Sequence, residues 1–243
     1  MRIVNFSRRV AKEILRDPLN IIFGIGFPVV VLLLLSAIQR NIPVPLFELS
    51  NLAPGIVVFG LSFISLFSGV LVAKDRESSL FARLCTTPMK SADFIFGYIL
   101  PMFPIAFLQS VVCFAVSLLL GLDLSMGILY ALLFSIPIEL FFISVGLFCG
   151  SILSDKQVGG FCGAFLTNLT AWLSGIWFDI SLVGDGFMKV AKCLPFYHSV
   201  ELLRAAYACR FDDIWINILW LVAYCVLITS LAVIFFKEKM KKM

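Results

Sequence analysis

Long apolar runs alternate with short polar breaks along this chain. The runs at residues 21–38, 52–73, 97–120, 126–150 and 215–236 each approach the roughly 20 apolar residues that a helix needs to cross a hydrocarbon core. A further run, 158–178, is more polar and glycine-rich but as long. These runs are continuous, without the period-two alternation of a spanning barrel strand. Ahead of the first run, Ile3, Phe6, Val10 and Ile14 recur at helical spacing among Arg2, Arg8, Arg9, Lys12 and Arg16. That pattern predicts an amphipathic helix lying in the headgroup region, ended by Asp17-Pro18; a disordered basic flank is the plainer alternative. Between the last two runs, Phe187, Val190 and Ala191, then Val200, Leu203 and Tyr207, again keep helical spacing, with Leu194–Tyr197 as a break.

The expected fold is therefore all-α and integral to the membrane. It has six transmembrane helices, an N-terminal amphipathic interfacial helix, and short re-entrant or interfacial helices between spans 5 and 6. A single domain covers 1–243, and no internal repeat points to inverted halves. Glycines and prolines within spans (Gly24, Gly26, Pro28, Pro101, Pro104, Pro137) predict helices packed against one another, some of them kinked.

Composition agrees with lipid as the solvent: 61% of residues are hydrophobic and 14% charged. Charge then sets the orientation. Basic residues gather in the N-terminal arm, at Lys74, Arg76, Arg83 and Lys90, and in the tail at Lys237, Lys239, Lys241 and Lys242. The positive-inside rule puts both termini in the cytoplasm of a multi-pass plasma-membrane protein. Lys189, Lys192, Arg204 and Arg210 run against this count, but acids and amphipathic spacing in the same segment suit interfacial helices. No cleavable signal peptide is evident. The net charge of +4 reflects topology and anionic headgroups, and no nucleic-acid partner is expected. Seven cysteines and one histidine show no metal-ligand spacing; Cys193 and Cys209 either pair outside or stay free.

The charged island at 74–90 is the richest candidate site. Leu80, Phe81 and Leu84 fall on one helical face, Arg76 and Arg83 on another. Asp75 or Ser78 is placed to cap a short helix, about 75–87, that Thr87-Pro88 ends, with Ser91 capping the next span. Such a rod either docks in a cleft of a partner or is an ordinary solvated loop. Glu139 is the one acid well inside an apolar run, readable as a pathway residue or as a structural carboxylate paired with serine. Gly60-Leu-Ser62 suggests an intramembrane serine protease. Against that, the sole histidine, His198, sits in the outer segment and Phe63 stands where glycine is expected.

Lys74-Asp-Arg-Glu-Ser-Ser-Leu-Phe-Ala-Arg-Leu-Cys-Thr-Thr-Pro-Met89 resembles the cytoplasmic segment of ABC type-2 transporter permeases, with its charged start, leucine core and Thr-Pro end. Leu194-Pro-Phe-Tyr-His-Ser-Val-Glu-Leu-Leu-Arg204 is similar to the second signature of the same family, a Leu-Pro pair before a short helix ending in arginine. Leu173–Ser181 resembles the stretch after span 5, without the proline common near Asp179. The three occur in family order and spacing.

The resemblance implies that the island is a coupling helix. Leu80, Phe81 and Leu84 would enter a groove of a separate ATP-binding subunit, with Arg76, Glu77 and Arg83 at the rim and the N-terminal helix bracing the same interface. Thr87, Pro88, Pro195, Glu201 and Arg204 would be structural motif positions. No phosphate loop is present, so this chain is not itself catalytic and binds no cofactor; ATP and Mg would sit on the partner. Two ATP-binding subunits and a second permease, identical or not, would complete the complex. The resemblance further implies a path along spans 1, 2 and 5, where Phe63, Phe67 and Trp172, with Phe23, Phe27, Phe59, Phe165, Ser62, Ser65 and Ser68, suit an amphipathic or lipid-like cargo: a drug, lipid, glycolipid or peptide. Glu139 joins them as a candidate pathway residue. The alternatives are an ATP-independent channel or secondary transporter, or a non-transporting scaffold or immunity subunit.

Overall fold

A computed structural model of the chain describes residues 2–18, 22–43, 47–78 and 89–241. Among these it is all-helical. Helix α1 (Arg2–Arg16) precedes α2 (Ile22–Gln39), whose first turn, Ile22–Gly26, is π-helical. Then come α3 (Leu49–Glu77), α4 (Ser91–Leu119) and α5 (Met126–Ile152). Helix α6 (residues 155–173) is a composite, α-helical at Asp155–Val158 and Thr167–Leu173 and π-helical at Gly159–Leu166. A 3₁₀ turn at Ile180–Leu182, α7 (Asp185–Lys192), α8 (Pro195–Tyr207) and α9 (Phe211–Lys241) follow.

Helices α2, α3, α4, α5 and α9 are long and apolar enough to cross a membrane. The expected sixth span corresponds to α6, a shorter helical run that stops at Leu173 because Ser174-Gly175 turns the chain, Gly175 with φ +72°. The break expected at Leu194–Tyr197 is narrower than the spacing suggested. Pro195 opens α8, where its missing N–H costs nothing, and only Cys193-Leu194 separates α7 from α8. Cys193 and Cys209 are both exposed free thiols.

Helix α3 is the axis of the bundle, with 72% of its most apolar window buried, against 11% for α9. Its tightest neighbour is α5. A Cβ on Gly146 would overlap the Ser65 carbonyl oxygen and the Ser68 hydroxyl, and one on Gly150 would overlap the Gly69 carbonyl. Gly69 in turn would bring a Cβ to 2.8 Å from the Gly146 carbonyl. Gly146 and Gly150, four apart, thus let two backbones touch, the arrangement by which membrane helices gain dispersion contacts that lipid cannot match. Ser62, Ser65 and Ser68 return their hydroxyls to carbonyls three residues back in α3, so the seam carries no stranded donors.

Gly146→Val should force α3 and α5 apart, at the roughly 1–3 kcal/mol or more typical of overpacking. Melting of the purified chain in detergent should show a clear drop in midpoint and a loss of monodisperse protein. Gly160→Ala, where a Cβ meets nothing within 4 Å, should leave both unchanged.

Candidate functional site: two polar clamps on one central helix

The charged island divides differently from its expected boundaries. Lys74-Asp75-Arg76-Glu77 continues α3 instead of starting a new helix, and Ser78 closes α3, its hydroxyl and its N–H both donating to the Asp75 carbonyl (2.6 and 3.1 Å). Asp75 therefore lies inside α3 and caps no helix start, and the residues that Ser78 would cap lie outside the described residues. On the far side Ser91 is the first residue of α4 and not its cap. Lys90 holds that place, its N–H donating to the Asp93 carboxylate (2.9 Å). Leu80, Phe81, Arg83, Leu84, Thr87 and Pro88 lie outside the described residues.

The described flanks of that segment are joined by a buried carboxylate. Asp75, 4% exposed, receives Arg9 Nη2 on Oδ1 (2.8 Å) and Arg9 Nη1 on Oδ2 (3.0 Å), while the Tyr98 hydroxyl donates to Oδ2 (2.8 Å). One anion thus links α1, the end of α3 and the start of α4. Burial opposes the Arg9 charge, but the Asp75 hydrogen bond and charge more than offset it and leave the guanidinium pKa above its ordinary value. Arg9 also reaches Glu13 at 2.8 Å. Burial and then the Asp75 charge push the Glu13 carboxyl up, against the lowering effect of Arg9.

Apolar packing reinforces the clamp. The Phe6 ring lies edge-on to Phe94 (5.2 Å) and Tyr98 (5.0 Å), over Gly97, where a side chain would occupy its place. The Ser7 hydroxyl donates to the Gly97 carbonyl (2.9 Å). Of the stripe expected to lie in the headgroup region, Phe6, Val10 and Ile14 are buried, at about 1.5–3 kcal/mol per side chain, and Ile3 is half-buried. Docking on protein removes them from water as well as lipid would, and adds the Asp75 bonds; Val4 and Leu15 stay exposed. Beside this clamp Arg76 caps α5, its Nη1 donating to the Gly150 carbonyl (2.8 Å) and Nη2 to the Leu153 carbonyl (3.0 Å). Glu77 is exposed.

A second clamp sits at the opposite end of α3. Asn51 and Asp75 are 24 residues apart on one helix, about 36 Å at 1.5 Å per residue. There Arg204 of α8 donates through Nη2 to the Gly175 carbonyl (2.8 Å), through Nη1 to Glu201 (3.2 Å) and through Nε to the Asn51 carbonyl (3.3 Å). The motif residues Glu201 and Arg204 thus tie α8 to the start of α3 and to the turn after α6. His198 anchors the other face of α8. Its ring contacts Asn217 Oδ1 (2.7 Å) and the Lys192 carbonyl (2.9 Å) and stacks on Trp220 (5.2 Å).

The remaining candidates separate. Glu139 is fully buried between α4 and α5, with Ser110 (3.0 Å) and Ser135 (2.8 Å) donating to Oε1 and no partner on Oε2. Phe63 is half-buried in an aromatic cluster with Phe27 (5.1 Å) and Phe59 (5.5 Å), and Phe67 packs over Gly24. Trp172 is 59% exposed on α6, along a groove with Gly160, Ala164, Phe165 and Asn168. Ser62 donates to the Phe59 carbonyl and approaches Thr167 (3.3 Å), whereas the His198 nitrogens are both engaged elsewhere; no serine–histidine pair is assembled among the described residues. Arg9, Tyr98, Asn51 and Gly175 were not singled out by spacing, since each acquires its role only from a partner distant in sequence.

Asp75→Ala should leave the Tyr98 hydroxyl unpaired and Arg9 with Glu13 alone, and destabilise by more than the roughly 1.5–3 kcal/mol of a single hydrogen bond to a charged group. Tyr98→Phe removes a single bond to the carboxylate and should cost about 1.5–3 kcal/mol. Melting in detergent reads both, and limited trypsin digestion should cut α1 at Arg8 and Lys12 sooner in Asp75→Ala than in Tyr98→Phe.

The family model described as ABC-2 type transporter matches residues 2–208, a stretch that takes in α1, both clamps and the segment between α3 and α4. No curated protein matches the chain. The family match spans most of the sequence, and the long apolar helices match a multi-pass membrane subunit. The chain belongs to the ABC-2 type transporter family and is the membrane permease of an ABC transporter.

Proposed function

We propose that this permease is the transport half of an ATP-driven exporter and that residues 79–88 receive the stroke of a separate ATP-binding subunit. The observation that carries the reading is the Asp75 clamp, which joins the two helices flanking those residues, α3 and α4, to each other and to α1. A push at 79–88 meets the end of α3 and the start of α4, already held together by Arg9 and Tyr98. Arg76 and the glycine seam extend the same rigid unit to α5. Movement delivered at one membrane face is thereby carried about 36 Å along α3 to the Arg204 clamp at the other.

Members of the family usually pair with an ATP-binding subunit. In this reading two such subunits bind ATP and Mg, and two permease copies face one another, each with both termini in the cytoplasm. Nucleotide binding biases a two-state element, as ligand-driven switching requires. Leu80, Phe81 and Leu84 form the docking knob, with Glu77 and Arg83 near it; Arg76 acts from behind, through α5. The exposed apolar faces of α2 and α6, with Phe23, Phe165 and Trp172, suit a cargo that is amphipathic or lipid-like. Both helices contain π-turns, which are common at functional sites in helices.

Replacing Leu80 and Leu84 together by Asp should leave membrane insertion and the melting midpoint unchanged while abolishing co-purification with the ATP-binding subunit and cargo-stimulated ATP hydrolysis. Full assembly of that variant would overturn the coupling role of 79–88.

A further inference from the structure

Beside the Arg204 clamp lies a cavity of about 420 Å³, within the size range of small-molecule sites. It opens to the surface and is bordered by the start of α3, the turn after α6, the 3₁₀ turn, α7 and α8. Leu52, Ile176, Ile180, Leu182 and Met188 give it apolar walls. Its charged lining residues are Asp179, Glu201 and Arg204, a net charge of −1. Arg204 is not free to take an anion: it already donates to Asn51, Gly175 and Glu201, and Glu201 stands next to it.

What the cavity offers instead is acceptors. The Ser181 N–H donates to Asp179 Oδ1 (2.9 Å) and holds that exposed carboxyl below the usual carboxylate range, so it is charged at neutral pH and keeps acceptor capacity. Burial and then the Glu201 charge push the Tyr197 phenol above its ordinary value, with Arg204 opposing and Asp179 adding to it. Ser174 is 0% exposed, lines the cavity, and has no hydrogen-bond partner for its hydroxyl. A buried hydroxyl left unpaired costs about 1–3 kcal/mol, so a ligand donor that satisfies it binds with that advantage.

Excess negative charge, unsatisfied oxygen and apolar walls together describe one ligand chemistry. We infer that this cavity binds the ammonium head of an amphipathic amine, with the apolar body against Ile176, Ile180 and Leu182. The inference rests on the proposed transport of amphipathic cargo and assigns a headgroup class to it. The amine comes either from an aminolipid head or from a soluble lipophilic amine; the chemistry at the cavity is the same.

The test is calorimetric titration of the purified full chain in maltoside micelles with octylamine, octanol and octanoate. Octylamine should bind saturably and at least tenfold more tightly than the other two. Asp179→Asn keeps the acceptor for Ser181 and should weaken octylamine at least tenfold with an unchanged melting midpoint; Ser174→Ala, which removes the unpaired hydroxyl, should weaken it severalfold. Competition by dihexanoyl phosphatidylethanolamine, but not by dihexanoyl phosphatidylglycerol, assigns the site to a lipid head; competition by neither assigns it to soluble amines. Octanoate binding as tightly as octylamine, or an unaffected Asp179→Asn, overturns the inference. Because the titration needs no nucleotide, the two readings fail separately. Octylamine that binds without stimulating ATP hydrolysis in the assembled complex removes transport and leaves the site. Stimulation that persists while Asp179→Asn binds normally does the reverse.

Discussion

Contact between the backbones of α3 and α5 is the constraint on which the other features depend. Within a bilayer, apolar side chains gain little by leaving lipid for protein, so helices associate by close packing and polar bonds. Gly69, Gly146 and Gly150 provide the packing: carbonyl oxygens of each helix fill the space where Cβ atoms of the other would be. With those two helices locked side by side, the end of α5 lies where Arg76 can cap it, and Ser68 reaches the Ile143 carbonyl across the seam (3.4 Å). Wider separation would break both contacts.

Polar bonds do the rest, and they are concentrated at the two ends of α3. At one end a carboxylate is surrounded by a guanidinium and a phenol; at the other a guanidinium is surrounded by two carbonyls and a carboxylate. Each clamp gathers segments far apart in sequence onto a single charged group, and each places that charge at a helix end, clear of the apolar middle of the span. Helix α3 is thus gripped at both ends and packed along its length. By contrast, α2 and α6 carry π-turns and exposed apolar faces and are packed less completely. The permease thus combines a stiff centre, α3 with α5, and more loosely held flanks.

Glu139 illustrates how burial decides a residue's part. Its depth in an apolar run suited either a path-lining acid or a serine-paired one. In the fold, Ser110 from α4 and Ser135 from its own helix donate to it, and it is closed off from the exposed face that bears Trp172. The amphipathic N-terminal helix is a similar case. Its periodicity indicated an apolar stripe but not the surface that covers it, because Phe6 is removed from water equally well by lipid or by the groove over Gly97.

The sequence by itself determined the class of the protein and the five helices long and apolar enough to cross a membrane, since a bilayer permits few backbone solutions and about 20 apolar residues are a strong local signal. It also indicated two short helices between the last two apolar runs, which the fold realises as α7 and α8. Only the tertiary structure decided that Asp75 ends a span and accepts Arg9, that Arg76 caps a different helix, and that Arg204 bridges Asn51 and Gly175. The reason is physical: apolar periodicity is a property of neighbours in sequence, whereas a buried charge is satisfied by whichever donor the fold brings within about 3 Å.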